Sequence, residues 1–302
     1  MRATILILSA AAMLALPAQA ARPVKPVKPM TVPAAVYTDP APDKAHPARM
    51  EVLHIPSGGV EINGVAYLAS GAGPHPTLVL CHGWPGNEKN LDLAQAVRRA
   101  GWNVVTFNYR GSWGSPGSFR FAQNPEDARA VLTFLRDPAN AARLGVDTRR
   151  MAIMGHSMGG WVTAMVAGQD DGLLGAGLIS AANMGMLGKM DRAEVIKRSA
   201  GNSETLADTS PERMADELIA NSDANNFMPM APGLAKKSLL ILSSDDGLAP
   251  GTDKLGAAVR AAGGKRVTMI HVATDHSWSD KRVMLQAQVI RWLQGLLAGK
   301  PR

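Results

Sequence analysis

Apolar runs and amphipathic stretches alternate from Met50 to about residue 297, which predicts an α/β domain on a doubly wound, mostly parallel sheet with flanking helices. Three observations carry that expectation. Leu78-Val79-Leu80 and Leu239-Leu240-Ile241-Leu242 are continuously apolar, as strands covered on both faces must be. Stretches such as 90–100 between these runs space their apolar residues at the helical period. Finally, Gly155-His156-Ser157-Met158-Gly159-Gly160 follows the apolar run 151–154 directly and opens a helical segment, so a hydroxyl sits at a sharp strand-to-helix turn.

In chain order, 51–55 and 60–68 read as strands of an antiparallel hairpin joined by Pro56-Ser57-Gly58-Gly59. A strand over 77–81, a helix over 90–100, a strand over 103–109 and a helix over 125–136 follow. The strand 151–154, the helix 158–168 and a strand over 177–180 come next. The alternation stops between Ala181 and Lys237, where helical pieces at 192–198 and 211–221 occur without a strand. An excursion of that size between sheet strands is expected to form a small helical cap over a site. Strands at 238–242 and 267–272 and helices at 252–262 and 280–297 complete the pattern.

The chain has 302 residues, 46% hydrophobic and 19% charged, enough for one large α/β domain over 50–302 with its cap insertion at about 181–237. Residues 1–20 read as a signal peptide: Arg2, an apolar run from Ala3 to Leu16, then Ala18-Gln19-Ala20 with cleavage expected after Ala20. That run is about 14 residues, too short to span a bilayer, so the expected location is periplasmic or secreted, without stable membrane insertion after cleavage. Residues 21–49 contain seven prolines and read as an extended arm or linker. The single cysteine, Cys81, excludes an intrachain disulfide and is expected to be buried at a strand end. Net charge is +7, but the basic residues form no stripe interleaved with aromatics, so no nucleic-acid partner is expected. There is no H-E-x-x-H, cysteine cluster, phosphate loop or dinucleotide fingerprint, so neither a metal nor another cofactor is expected. Oligomeric state is not readable from the chain.

A serine hydroxyl becomes a nucleophile only when a base takes its proton and an acid orients that base. Among the seven histidines, His276 stands out because Thr274-Asp275-His276-Ser277 is a polar loop between the last strand and the last helix. His156 lies inside the turn and is expected to point away from Ser157, and His271, within an apolar strand, is expected to be packed. The acid should follow the preceding strand, where Ser243-Ser244-Asp245-Asp246 offers Asp246, or Asp245 if the loop slips by one residue. Asp275 reads as a loop-capping acid. Two backbone N–H groups must receive the oxyanion: Met158 at the start of the helix, and Trp84 in His82-Gly83-Trp84-Pro85-Gly86, where Pro85 has no N–H to offer. Trp113 and Trp278 are candidates for lining an apolar acyl pocket, with core packing the alternative for each.

With these motifs in this order, residues 50–297 resemble the α/β-hydrolase superfamily, including its esterase and prolyl-oligopeptidase-like branches. The resemblance rests on the His82 to Gly86 loop, Tyr109-Arg110-Gly111-Ser112-Trp113-Gly114-Ser115, the serine turn, Asp246 ahead of Pro250, and Asp275-His276-Ser277-Trp278. It implies acyl transfer to water by Ser157, Asp246 and His276, on a small-molecule ester or short peptide. Serine at the turn disfavours the family's dehalogenases and epoxide hydrolases. Ester hydrolysis is the first expectation and peptide or amide cleavage the second, although 21–49 is too short for the propeller that gates many such peptidases. A non-catalytic binding protein on the same fold is the third. The chain departs from the family pattern at Asn108, where many relatives carry aspartate; this alters a loop contact and leaves the triad untouched.

Overall fold

The computed structural model describes residues 31–298; the expected signal peptide, residues 1–20, and the first part of the Pro-rich segment lie outside them. The hairpin forms from β1 (Arg49–Ser57) and β2 (Val60–Leu68), antiparallel, with Ser57 opposite Val60. The first strand runs through Pro56, which a central strand would exclude; β1 is the sheet edge, where a missing N–H costs no ladder bond. After β3 (His75–Cys81) come α1 (Leu91–Arg99), β4 (Asn103–Phe107), α2 (Asn124–Arg136), α3 (Pro138–Leu144), β5 (Val146–His156), α4 (Met158–Ala167) and β6 (Leu173–Ile179). The insertion carries α5 (Met184–Leu187), α6 (Arg192–Ala200), α7 (Pro211–Ala220) and α8 (Ala231–Ala235), and no named strand. The chain then forms β7 (Ser238–Ser243), α9 (Ala249–Ala261), β8 (Val267–His271) and α10 (Arg282–Ala298).

Besides the short helices α5 and α8, which the sequence expectation does not contain, three elements differ clearly from it. β5 is 11 residues long, extending upstream through Asp147 and Arg149, whose polarity hides the strand. β6 begins at Leu173, earlier than expected, and Gly175 and Gly177 interrupt its apolar run, yet they belong there: a Cβ at 175 would press on Trp292 and one at 177 on Met154. α3 was not foreseen, although its caps are written in the chain. Asp137 Oδ1 accepts from Ala139 and Asn140 N–H, Pro138 occupies the first turn, and Gly145 ends the helix in the left-handed region.

The sheet order is β1-β2-β4-β3-β5-β6-β7-β8, with every neighbour from β4 to β8 parallel. The chain leaves β3 on one side for β4 and returns on the other for β5. Such a reversal opens a crevice at the carboxyl ends of the two strands, where doubly wound sheets bind their ligands. Side chains alternate faithfully across the sheet. Leu78, Leu80, Ala152, Met154, Leu240 and Leu242 face a core completed by α1 and α10, while Val79, Ile153, Leu239 and Ile241 face the core under α2, α4 and α9. Cys81 is fully buried, and burial pushes its thiol up to about 12.

The insertion is tied to the loop after β4. Ala207 N–H donates to Gly111 O (2.7 Å), Trp113 N–H to Thr205 O (3.1 Å) and Phe119 N–H to Ala207 O (3.0 Å). Residues 32–48 lie along the domain, where the Arg99 guanidinium holds Ala35 O (2.6 Å) and Val36 O (2.9 Å) and Gly71 N–H donates to His46 O (2.9 Å). Among the described residues no helix is long and apolar enough to cross a membrane.

Ile153 is 0% exposed at the centre of the sheet, whereas Val52 on the edge strand is 63% exposed. Ile153→Ala is expected to lower the urea-unfolding free energy by about 2–5 kcal/mol, and Val52→Ala to leave it within about 0.5 kcal/mol of the parent.

Candidate active site

Ser157 sits between β5 and α4 with φ 57° and ψ −120°, a conformation an L-residue adopts only under duress. Close packing imposes it. A Cβ at Gly155 would overlap the Gly159 carbonyl, and one at Gly159 would overlap the carbonyl oxygens of Cys81 and His82, so α4 starts pressed against the end of β3. Gly83 passes so near that an added Cβ would stand 3.1 Å from Ser157 Cβ. The main chain is pinned as well: Ser157 N–H donates to Ile179 O (2.9 Å), and Ser157 O accepts from Gly160 (3.0 Å) and Ala182 (3.1 Å).

The structure brings Asp246 and His276 together, Oδ2 to Nδ1 at 2.6 Å, with the carboxylate side chain only 5% exposed. A carboxylate on Nδ1 fixes the proton there and leaves Nε2 as the acceptor. Burial pushes the Asp246 carboxyl up, but hydrogen bonds from His276, Leu248 N–H and Ser244 outweigh it and leave the group below the usual carboxylate range. Asp245 is engaged elsewhere, its Oδ1 2.9 Å from His271 Nε2. The expectation that His271 is packed is therefore corrected. β8 is the outer strand of the sheet, and the His271 side chain is 52% exposed between Asp245 and Ser243 Oγ. Asp275 caps its own loop through Ser279 N–H (2.7 Å).

His156 emerges as a site residue the sequence reading passed over. Its Nε2–H donates to the His276 carbonyl (2.8 Å), and the two rings lie 4.6 Å apart. Burial drives its pKa down to about 4, so the ring stays neutral beside His276. Its position inside the turn is the available signal, because a residue next to Ser157 also adjoins whatever approaches that hydroxyl. Among the described residues no hydrogen bond joins Ser157 Oγ to His276.

On the opposite wall, His82 is buried, also pushed by burial down to about 4, and its Nδ1–H donates to Gly83 O (2.7 Å). Tyr109 OH steadies the same loop on His82 O (3.2 Å). The Trp84 indole packs edge-on against Phe121, and Asn124 Nδ2–H donates to Met158 Sδ (3.3 Å). Trp113 is half-buried, its indole N–H on Pro85 O (2.8 Å) and the Lys89 ammonium over its ring. Trp278 is corrected as a pocket residue. It is 0% exposed in the core under α1 and α10, with its indole N–H on Ser180 Oγ (3.0 Å), and so anchors the loop that carries His276 from below.

Residues 78–299 match the family model described as the alpha/beta hydrolase family. The chain belongs to this family. An uncharacterized protein of Mycobacterium tuberculosis is 29% identical over 131 residues, which are 43% of this chain and 45% of that protein, so the match spans under half of the relative. Two solved structures share the fold. An acylaminoacyl peptidase of Pyrococcus horikoshii has TM-score 0.65 and 17% identity, covering 82% of this chain and 41% of that one. A carboxyl esterase of Bacillus coagulans has TM-score 0.65 and 14% identity, covering 82% and 99%.

His82 and His156 are neutral in the folded protein down to about pH 4, whereas in the unfolded chain they take up protons near pH 6.5. The unfolded state binds more protons in this window, so stability falls as pH drops from 6.5 towards 4, by about 3 kcal/mol for each ring at the low end. Urea titrations at several pH values should show this slope, and His156→Gln should reduce it by about half, leaving the His82 share.

Proposed function

We propose that this protein is a serine hydrolase that cleaves carboxylic esters through a covalent acyl-enzyme. The observation that carries the reading is the short Asp246–His276 pair on loops beside a strained, half-buried Ser157. Ser157 Oγ attacks the ester carbonyl as its proton passes to His276 Nε2, and Asp246 holds the imidazolium that results. The carbonyl oxygen becomes an oxyanion facing the Met158 and Trp84 N–H groups. Collapse of this intermediate expels the alcohol, which takes the proton from His276. Water, deprotonated by the same ring, then attacks the acyl-enzyme and releases the acid. The contact between Oγ and Nε2 is the one that substrate binding has to complete, as catalytic hydrogen bonds in unliganded enzymes often do. His156 acts as a positioning residue: it holds the His276 main chain and adds no charge next to the imidazolium.

A fluorophosphonate probe should label the wild type and leave Ser157→Ala unlabelled, and 4-nitrophenyl esters should turn over faster than aminoacyl anilides. Faster anilide cleavage would replace the esterase reading with a peptidase; a folded wild type that resists labelling would remove the enzyme reading altogether. Asp246→Asn should lower kcat by about 10⁴-fold, because the amide selects the wrong tautomer, while Asp245→Asn keeps most activity.

His156→Leu should lower kcat on the order of a hundredfold with KM little changed, the cost of a misplaced base. His156→Gln, which retains a side-chain N–H donor, should recover much of the loss. Equal losses in both variants would show that the hydrogen bond to the His276 carbonyl is irrelevant.

A further inference from the structure

A cleft of about 550 Å³ runs between residues 87–92 and residues 277–282. One wall includes Ser277, directly after His276. The other includes Lys89, which lies over the Trp113 ring at 4.2 Å, and Trp113 in turn is bonded to Pro85, next to Trp84. The cleft thus borders both the base loop and the oxyanion loop.

Its acids are already engaged. Asp92 accepts from Arg282 Nε (2.9 Å), from Arg282 Nη2 and from Gln286 (2.8 Å). Glu88 Oε1 accepts Asn90 N–H (2.5 Å) and lies 3.9 Å from Arg282 Nη2. Lys89 has no carboxylate partner among the described residues; its Nζ donates to the neutral Asn108 Oδ1 at 3.0 Å. The cation is half-buried, and burial lowers its pKa, a sign that its charge is incompletely solvated. The aromatic face steadies an ammonium without cancelling it, so one positive charge lining this cleft has no carboxylate to compensate it.

We propose that Lys89 receives a carboxylate carried by the substrate, making the preferred substrate an anionic ester. This rests on the reading of Ser157, Asp246 and His276 as the reacting group. The carboxylate forms a charge-assisted hydrogen bond with Nζ, and the hydroxyls of Ser277 and Ser279 line the same cleft.

Two ester pairs distinguish an acyl-side from an alcohol-side carboxylate: 4-nitrophenyl butyrate against mono-4-nitrophenyl succinate, and phenyl acetate against 3-carboxyphenyl acetate. In Lys89→Gln, KM for one of the carboxylated esters should rise about tenfold, with the neutral partner unchanged. Asn108→Asp should act in the same direction by supplying Lys89 with a counter-ion. Loss of the same factor for charged and neutral esters in both pairs would overturn the proposal. Calorimetric titration of Ser157→Ala with monomethyl succinate and with 3-hydroxybenzoate reads the contact without turnover. Binding of either that is lost on adding Lys89→Gln supports the proposal; no binding, or equal binding in both proteins, overturns it. If no ester turns over and the probe leaves Ser157 unlabelled, the hydrolase reading fails, and the titration still decides the role of Lys89.

Discussion

The site is organised around a backbone that cannot relax. Ser157 holds φ 57°, which costs an ordinary residue about 1–3 kcal/mol. The surroundings leave no alternative. Gly155, Gly159 and Gly160 let the start of α4 lie against β3 and against Ala181, and the main chain of Ser157 is bonded on both sides. Adding a single methyl group at Gly155 or Gly159 would drive backbone into backbone, so this strain is held by packing rather than by the local chain. Its effect is directional: the turn lifts Oγ off the end of β5 and points the first N–H groups of α4 at the space beside it.

Ser157 must then be met by groups that start far away in the sheet. β8 lies three strands from β5, about 14 Å at ordinary strand spacing, and the loop after β8 has to travel back across β7 and β6. Ser180, at the end of β6, is the post it winds around: its hydroxyl accepts the Trp278 indole N–H and meets Ser244 Oγ at 2.7 Å. The loops after β7 and β8 are also laced together, Val272 N–H on Ser243 O and Asp245 N–H on Thr274 O. His156 finishes the path by receiving the His276 carbonyl. Adjacent aspartates are sorted by the same geometry: His271 occupies Asp245 on the outer side, and Asp246 is left to face inward.

The legible parts of this structure are those where burial on both faces leaves an uninterrupted apolar record, as in β3 and β7, or where a turn demands glycine, as around Ser157. What stayed hidden had local causes. Gly175 and Gly177 make room for Trp292 and Met154, and by interrupting Leu173-Leu174, Ala176 and Leu178-Ile179 they break up the apolar record of β6. β8 reads as apolar through Val267, Met269 and Ile270, yet its outer position exposes His271, and strand order is not a local property. Trp278 shows the same limit, since an aromatic two residues after His276 can face a pocket or a core, and only the detour around Ser180 decides between them. The short helix α3, by contrast, had its caps at Asp137, Pro138 and Gly145 in plain view; its length hid it.

Charge around the site is sparse, and this gives Asn108 its meaning. His82 and His156 are both held neutral by burial, so neither adds a positive charge near His276. Lys89 is the cation left on the rim, and the residue touching it is an amide where many relatives of this fold carry an acid. An aspartate there could accept from Lys89 but could not also donate to the Trp113 carbonyl. Asn108 does both, Oδ1 on Nζ at 3.0 Å and Nδ2–H on Trp113 O at 3.1 Å. One atom pair therefore secures the loop that carries Trp113, while the charge of Lys89 remains uncancelled. An amide at this position therefore sets both the loop contact to Trp113 and the electrostatics around Lys89.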